Sequence, residues 1–269
     1  MRRLVTVWCV LLSALALVSC SPEPRSIVEE LLAASVGDKK VLSPSRQSPL
    51  EHAVRWKKFE EAERLIKAGA DVNDVDYLSI AAAGGNREMV QLLMAAGAKV
   101  NPESGDDNFP LWYAALVPHP GIVADLLAAG ADVHRLDFNG ETALFAAISE
   151  KSYEVVVQLL KAGSDVNWRG FMNRTPLWYA AGSGQLDIAQ ALIEAGADVD
   201  AVADDGSSVL QEAITGARSE EMVRLLLKHG AKRNFSESHI YGALHPDCAF
   251  ETPGENLLRA LKAAGYTKL

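Results

Sequence analysis

A six-residue phrase that returns along the chain constrains its fold more than any single residue does. Ala68-Gly69-Ala70-Asp71-Val72-Asn73 recurs at 96–101, 129–134, 162–167 and 195–200, with a weaker copy at 229–234. Its glycines, Gly69, Gly97, Gly130, Gly163, Gly196 and Gly230, lie 28 (97−69), 33 (130−97), 33 (163−130), 33 (196−163) and 34 (230−196) residues apart. A steady period in this range belongs to stacked supersecondary units, each touching only its neighbours. From length alone, 269 residues would have suggested one large globule or two ordinary ones. Aromatic residues make up only 7% of the chain and alanine recurs throughout, a composition suited to thin helices stacked closely.

A second phrase keeps register with the first. Thr175-Pro176-Leu177-Trp178-Tyr179-Ala180 begins 21 residues before its glycine (196−175), with degenerate copies at 48–53, 109–114, 142–147 and 208–213. The hydroxyl of Thr142 or Thr175 suits a helix start, proline is tolerated in the first turn, and the leucine opens a buried stripe. Ala81-Ala82 and Ala180-Ala181 keep an inner helix thin. Outer helices follow at helical spacing, with Met89-Val90 and Leu92-Leu93, Ile122-Val123 and Leu126-Leu127, Val155-Val156 and Leu159-Leu160, Ile188-Ala189 and Leu192-Ile193, and Met222-Val223 and Leu225-Leu226. Glycine at the helix end relieves a left-handed cap.

The two phrases in fixed register resemble the ankyrin repeat. That resemblance implies an all-α ankyrin-repeat solenoid, in which helix-turn-helix repeats are joined by β-hairpin fingers. The repeats are expected over 48–234, within a repeat domain spanning 27–269. An N-terminal cap is expected over 27–47, with an amphipathic helix at 27–35. A degenerate repeat and cap follow over 235–269, with a final outer helix at 254–265. From Gly69 to the next motif start is 7 residues (76−69), against 12 in later repeats (142−130), so the first finger is truncated. Trp112 and Trp178 stand where the family usually carries a bridging histidine. Ring packing is expected to replace those hydrogen bonds unless an indole finds a carbonyl.

Upstream of the repeats, Arg2 and Arg3 precede an apolar run at 4–18, the layout of a secretory signal. At about fifteen residues it is shorter than the roughly twenty a membrane-spanning helix needs. Leu17-Val18-Ser19-Cys20 resembles the lipobox of bacterial lipoproteins. The resemblance implies a signal peptide at 1–19, cleavage before Cys20, acylation of Cys20, and a short tether at 20–26. Ser21 resembles the residue that follows the cysteine in lipoproteins sent to the outer membrane, which would place the chain in the cell envelope, facing the periplasm. Ordinary secretory cleavage with Cys20 incidental is the alternative. With Cys9 removed and Cys20 acylated, only Cys248 remains, and no intramolecular disulfide is expected.

Twenty-six basic against thirty-five acidic residues give −9, so nucleic-acid binding lacks its electrostatic footprint. Removing 1–19 takes two arginines and leaves 24−35, or −11, which favours a partner with a basic face. The six histidines are scattered, and no Gly-x-Ser-x-Gly, phosphate loop or His-Glu-x-x-His is found. His239, His245, Asp247 and Cys248 could supply zinc ligands or a Cys-His pair. His245 falls on the repeat's usual structural histidine, however, and Cys248 on a small-residue helix position. No catalytic residue, metal or cofactor is expected.

The resemblance instead implies binding of a protein partner, through the fingers and the concave ends of the inner helices; the oligomeric state is left open, with a monomer favoured. Inner-helix ends supply Trp56, Leu116 and Val117. Finger tips supply Phe138, Asn139 and Glu141, then Phe171, Met172 and Arg174, then Asp204 and Asp205, with Tyr241 near the end. Apolar residues at such tips suit interface anchors; packing of Phe138 and Phe171 on adjacent fingers is the alternative. Three functions remain open. One is an immunity protein that neutralises a toxic periplasmic enzyme, such as a lipase effector of type VI secretion. Another is a scaffold or stress-protective factor for a resident envelope enzyme. The third is an enzyme or metal site near His239, His245 and Cys248.

Overall fold

The computed structural model describes residues 48–103 and 109–232, together with Lys262. The expected signal peptide, tether, N-terminal cap and C-terminal degenerate repeat lie outside them. Among the described residues are twelve α-helices in six pairs: α1 (Pro49–Arg55) with α2 (Phe59–Lys67), α3 (Tyr77–Ala83) with α4 (Arg87–Ala95), α5 (Pro110–Leu116) with α6 (Pro120–Ala128), α7 (Ala143–Ser149) with α8 (Tyr153–Lys161), α9 (Pro176–Gly182) with α10 (Leu186–Glu194), and α11 (Val209–Glu212) with α12 (Glu220–Lys228). The odd-numbered inner helices pack in one row and the even-numbered outer helices in another. None of the described helices is long and apolar enough to cross a membrane.

Local chemistry sets the inner helices. Ser48, Thr175 and Ser208 accept the amides of Glu51, Trp178 and Gln211 at their N-caps, and Asp76 accepts that of Ser79. Thr142 departs from the expected cap. The Phe145 amide goes to the Thr142 backbone carbonyl at 3.0 Å, which leaves the buried hydroxyl without a partner among the described residues. Ala81, Ala82, Ala114, Ala115, Ala180 and Ala181 are buried where inner helices meet, and the outer helices bury Val90 and Leu93, Val123 and Leu126, Val156 and Leu159. Burying each such valine or leucine stabilises the stack by about 1.5–3 kcal/mol. The cap glycines are required by conformation rather than by space: Gly163 has φ +92°, and a Cβ placed there would meet nothing within 4 Å.

The recurring six-residue phrase is a two-part joint. Its aspartate folds the chain locally, since Asp71, Asp132, Asp165 and Asp198 accept the amide two residues on. Its asparagine ties one repeat to the next. Asn101 donates Nδ2 to Gly130 O at 2.8 Å and accepts Asp132 N at 2.9 Å, and Asn73 and Asn167 repeat the pattern with Gly97 and Lys99, and with Gly196 and Asp198. Asp200 keeps the accepting half, from Lys232 N, and adds an ion pair to Lys232 Nζ at 3.1 Å.

The fingers are closed by few backbone bonds. Asp137 N donates to Glu141 O, Gly170 N to Arg174 O, and Ala203 N to Ser207 O. Val202 and Ser208 form an isolated antiparallel bridge. The last pair carries the surplus residue seen as a 34-residue glycine spacing. From Ser208 to the start of α12 is 12 residues (220−208), against 11 from Thr175 to α10 (186−175). That residue is absorbed as a π-helical turn at Ala213–Ala217 directly after α11.

Candidate partner-binding surface

Side chains stitch neighbouring fingers into one rim. Trp168 Nε1 donates to Gly140 O at 2.8 Å, Arg169 to Val202 O at 3.1 Å, and Asp204 N to Met172 O at 3.0 Å. Arg135 reaches back to Pro102 O and lies 5.2 Å from the centroid of the Phe109 ring. On this rim Leu136, Phe138, Phe171 and Val202 are 38%, 56%, 57% and 45% exposed. Phe138 and Phe171 hold the same finger place, following Asp137 and Gly170, and neither is covered by its neighbour. Between them and the next finger the backbone is strained. Met172 and Asn173 take φ +55° and +60° in succession, where only asparagine among the two tolerates the left-handed region readily.

Beneath the rim runs a polar network across three repeats. Tyr179 donates its hydroxyl to Glu141 Oε1 at 3.2 Å, and the Tyr179 ring meets Phe145 edge-on at 5.7 Å. Burial pushes the Glu141 carboxyl above the usual carboxylate range, with the Asp137 charge adding to it. Burial, then the Glu141 charge, pushes the Tyr179 phenol up to about 12. Arg174 stacks 4.1 Å over Trp178 and pairs with Asp205 Oδ2 at 3.1 Å. The Ser207 hydroxyl and amide, then Arg174, hold the Asp205 carboxyl down to about 2. Trp178 Nε1 donates to Ser207 Oγ at 3.0 Å, so this indole does bridge to the next finger, through a hydroxyl rather than a carbonyl. Trp112 is half-buried, edge-on to Tyr113 at 5.2 Å.

The structure thus brings together Phe138, Asn139, Phe171, Met172, Asp204 and Asp205 on consecutive fingers. Asn139, Asp204 and Asp205 are exposed and Met172 is half-buried. Glu141 and Arg174 belong to the same region, but their side chains are engaged within the chain. Leu116 packs partly against the core and Val117 is half-buried. Trp56 is 64% exposed but lies in the first repeat, away from the rim. Tyr241, and the His239, His245, Asp247 and Cys248 constellation, lie outside the described residues. Sequence reasoning missed Leu136 and Val202, which share the place just before the finger turn.

A family model described as ankyrin repeats (3 copies) matches residues 78–170 and 168–237, and one described as ankyrin repeats (many copies) matches 50–94. Comparison with curated proteins finds no match. The matched segments run over the same helix pairs, joints and fingers described above; the chain belongs to the ankyrin repeat family.

Proposed function

We propose that this chain binds another protein through the finger rim of its third to sixth repeats, without catalysis, and that it does so as a monomer tethered to the cell envelope by acylated Cys20. One observation carries the binding reading: Leu136, Phe138, Phe171 and Val202 stand exposed on fingers that are bonded to one another. Leaving a phenylalanine in water forgoes about 1.5–3 kcal/mol of burial free energy, and a rigid apolar row of this kind suits interface anchors. Export rests on the charged start, the apolar run at 4–18 and the lipobox-like Leu17 to Cys20. The partner is proposed to be a toxic enzyme delivered to the periplasm, such as a lipase effector of type VI secretion, which the chain neutralises. This rests on resemblance to exported ankyrin lipoproteins and on the acidic net charge.

Replacing Phe138, Phe171 and Met172 together by serine should abolish partner capture while leaving helical circular dichroism intact; loss of both would make them core residues. Cys20→Ala should stop incorporation of radiolabelled palmitate. For immunity, cells lacking the gene should become sensitive to the effector, and unchanged resistance overturns that role.

A further inference from the structure

Glu212 closes α11 at the base of the last described finger, half-buried, where the backbones of repeats five and six come together. A Cβ on Gly216 would lie 3.0 Å from Gly182 O and 3.2 Å from Gly182 Cα, so any side chain there would push the two backbones apart. The same two glycines clear room for the carboxylate. Its Oε1 would be 2.7 Å from a Cβ at Gly216 and 2.8 Å from one at Gly182. Neither glycine donates to it, and among the described residues no hydrogen bond or ion pair reaches the Glu212 side chain, whose backbone amide donates to Ser208 O. Burial pushes its carboxyl up; the Arg174 charge opposes this and the Asp205 charge adds to it. A half-buried carboxylate without donors is a burden to the fold, and such groups concentrate at functional sites.

Two further observations point outward from this position. The π turn at Ala213–Ala217 follows Glu212 directly and brings Gly216 against Gly182. Single π turns inside helices are rare and frequent at functional sites. The rim cations nearby are already engaged: Arg135 with Pro102 O, Arg169 with Asn173 O and Val202 O, Arg174 with Asp205 and Trp178. Asp204 stays exposed beside them. An approaching segment therefore meets an apolar row beside the exposed Asp204 and the half-buried Glu212, whose carboxylate has the Arg174 charge near it but no hydrogen-bond donor among the described residues.

Resting on the protein-binding reading above, we propose that Glu212 receives a lysine or arginine side chain of the partner, while an apolar side chain of the same segment seats on Phe171 and Val202. Charge complementarity selects that occupant. The added cation supplies the donors the carboxylate lacks, in a partly desolvated place where such a pair is stronger than on an open surface.

Panning a random dodecapeptide phage library against the purified full chain tests this, with Glu212→Gln and the double variant Phe138→Ser/Phe171→Ser as parallel baits. Peptides retained by the native chain should combine aromatic or aliphatic residues with an excess of lysine or arginine over the unselected library. Glu212→Gln should lose the basic excess and keep the apolar preference. A synthetic peptide from the selection should bind Glu212→Gln about tenfold more weakly, and its counterpart with citrulline for arginine should bind both chains equally. Glutamine preserves size, and a thermal melt by circular dichroism verifies its fold. Peptides that depend on Phe138 and Phe171 but show no basic excess, or keep that excess on Glu212→Gln, overturn the Glu212 assignment and leave the rim standing. No selection above an unrelated bait, or equal retention by the double serine variant, overturns the rim and the assignment together.

Discussion

Met172 shows how narrowly single positions on the rim are set. Its φ of +55° is one that a β-branched residue resists, so Met172→Val should destabilise the chain by about 1–2 kcal/mol whereas Met172→Gly should be near neutral, as urea midpoints would show. The carboxylates respond to pH in opposite directions. Asp205 is held at about 2 when folded, against an ordinary 3.8, so its stabilisation is present above 3.8 and lost as pH falls toward 2. Asp205→Asn should therefore lower the melting temperature at pH 7 and leave it nearly unchanged at pH 2. The Glu212 carboxyl is raised by folding, so ionising it weakens the native state at high pH and the loss is recovered as pH falls through the folded value. Glu212→Gln should melt higher than the native chain at neutral pH, the gap closing on acidification. Phe138 and Phe171 were legible in the sequence because repeat register alone places them at tips. The engagement of Glu141 and Arg174 was not, because their partners Tyr179 and Asp205 come from following repeats, 38 (179−141) and 31 (205−174) residues on.

At the level of elements, helix positions followed directly from the two phrases, because capping hydroxyls, prolines, alanine pairs and terminal glycines each act within one turn. The joints did not, since a repeating asparagine gives no hint of which backbone it will meet. His134 interrupts that series of ties: among the described residues no bond joins its side chain to the next repeat. His134→Asn should recover the pair found at its counterparts, donating to Gly163 O and accepting Asp165 N, adding about 0.5–1.5 kcal/mol, and Asn101→Ala should remove about as much or somewhat more; denaturant melts distinguish the two signs. The surplus residue in the last pair was visible as a spacing, but whether it would lengthen a loop or enter a helix depends on packing. Ala213 and Ile214 are buried against the stack, which holds the helix in place and forces the extra residue into a π turn.

Across the array, the helix contacts among the described residues run within pairs and between successive pairs, so cooperativity is that of a one-dimensional array. Leu144 is fully buried in α7, which packs against both α5 and α9; Leu144→Ala should cost about 2–5 kcal/mol and separate a single thermal transition into two. Amide exchange should be slowest in α5, α7 and α9, and faster toward either end. The asparagine joint carries a further consequence for how such a chain arises. Each asparagine joint reads only a main-chain carbonyl and amide of the following unit, atoms that every residue but proline possesses. Unequal crossing-over between copies of the encoding gene segment would therefore join any two units with their connector intact, and an array of this kind can gain or lose length without inventing a new junction.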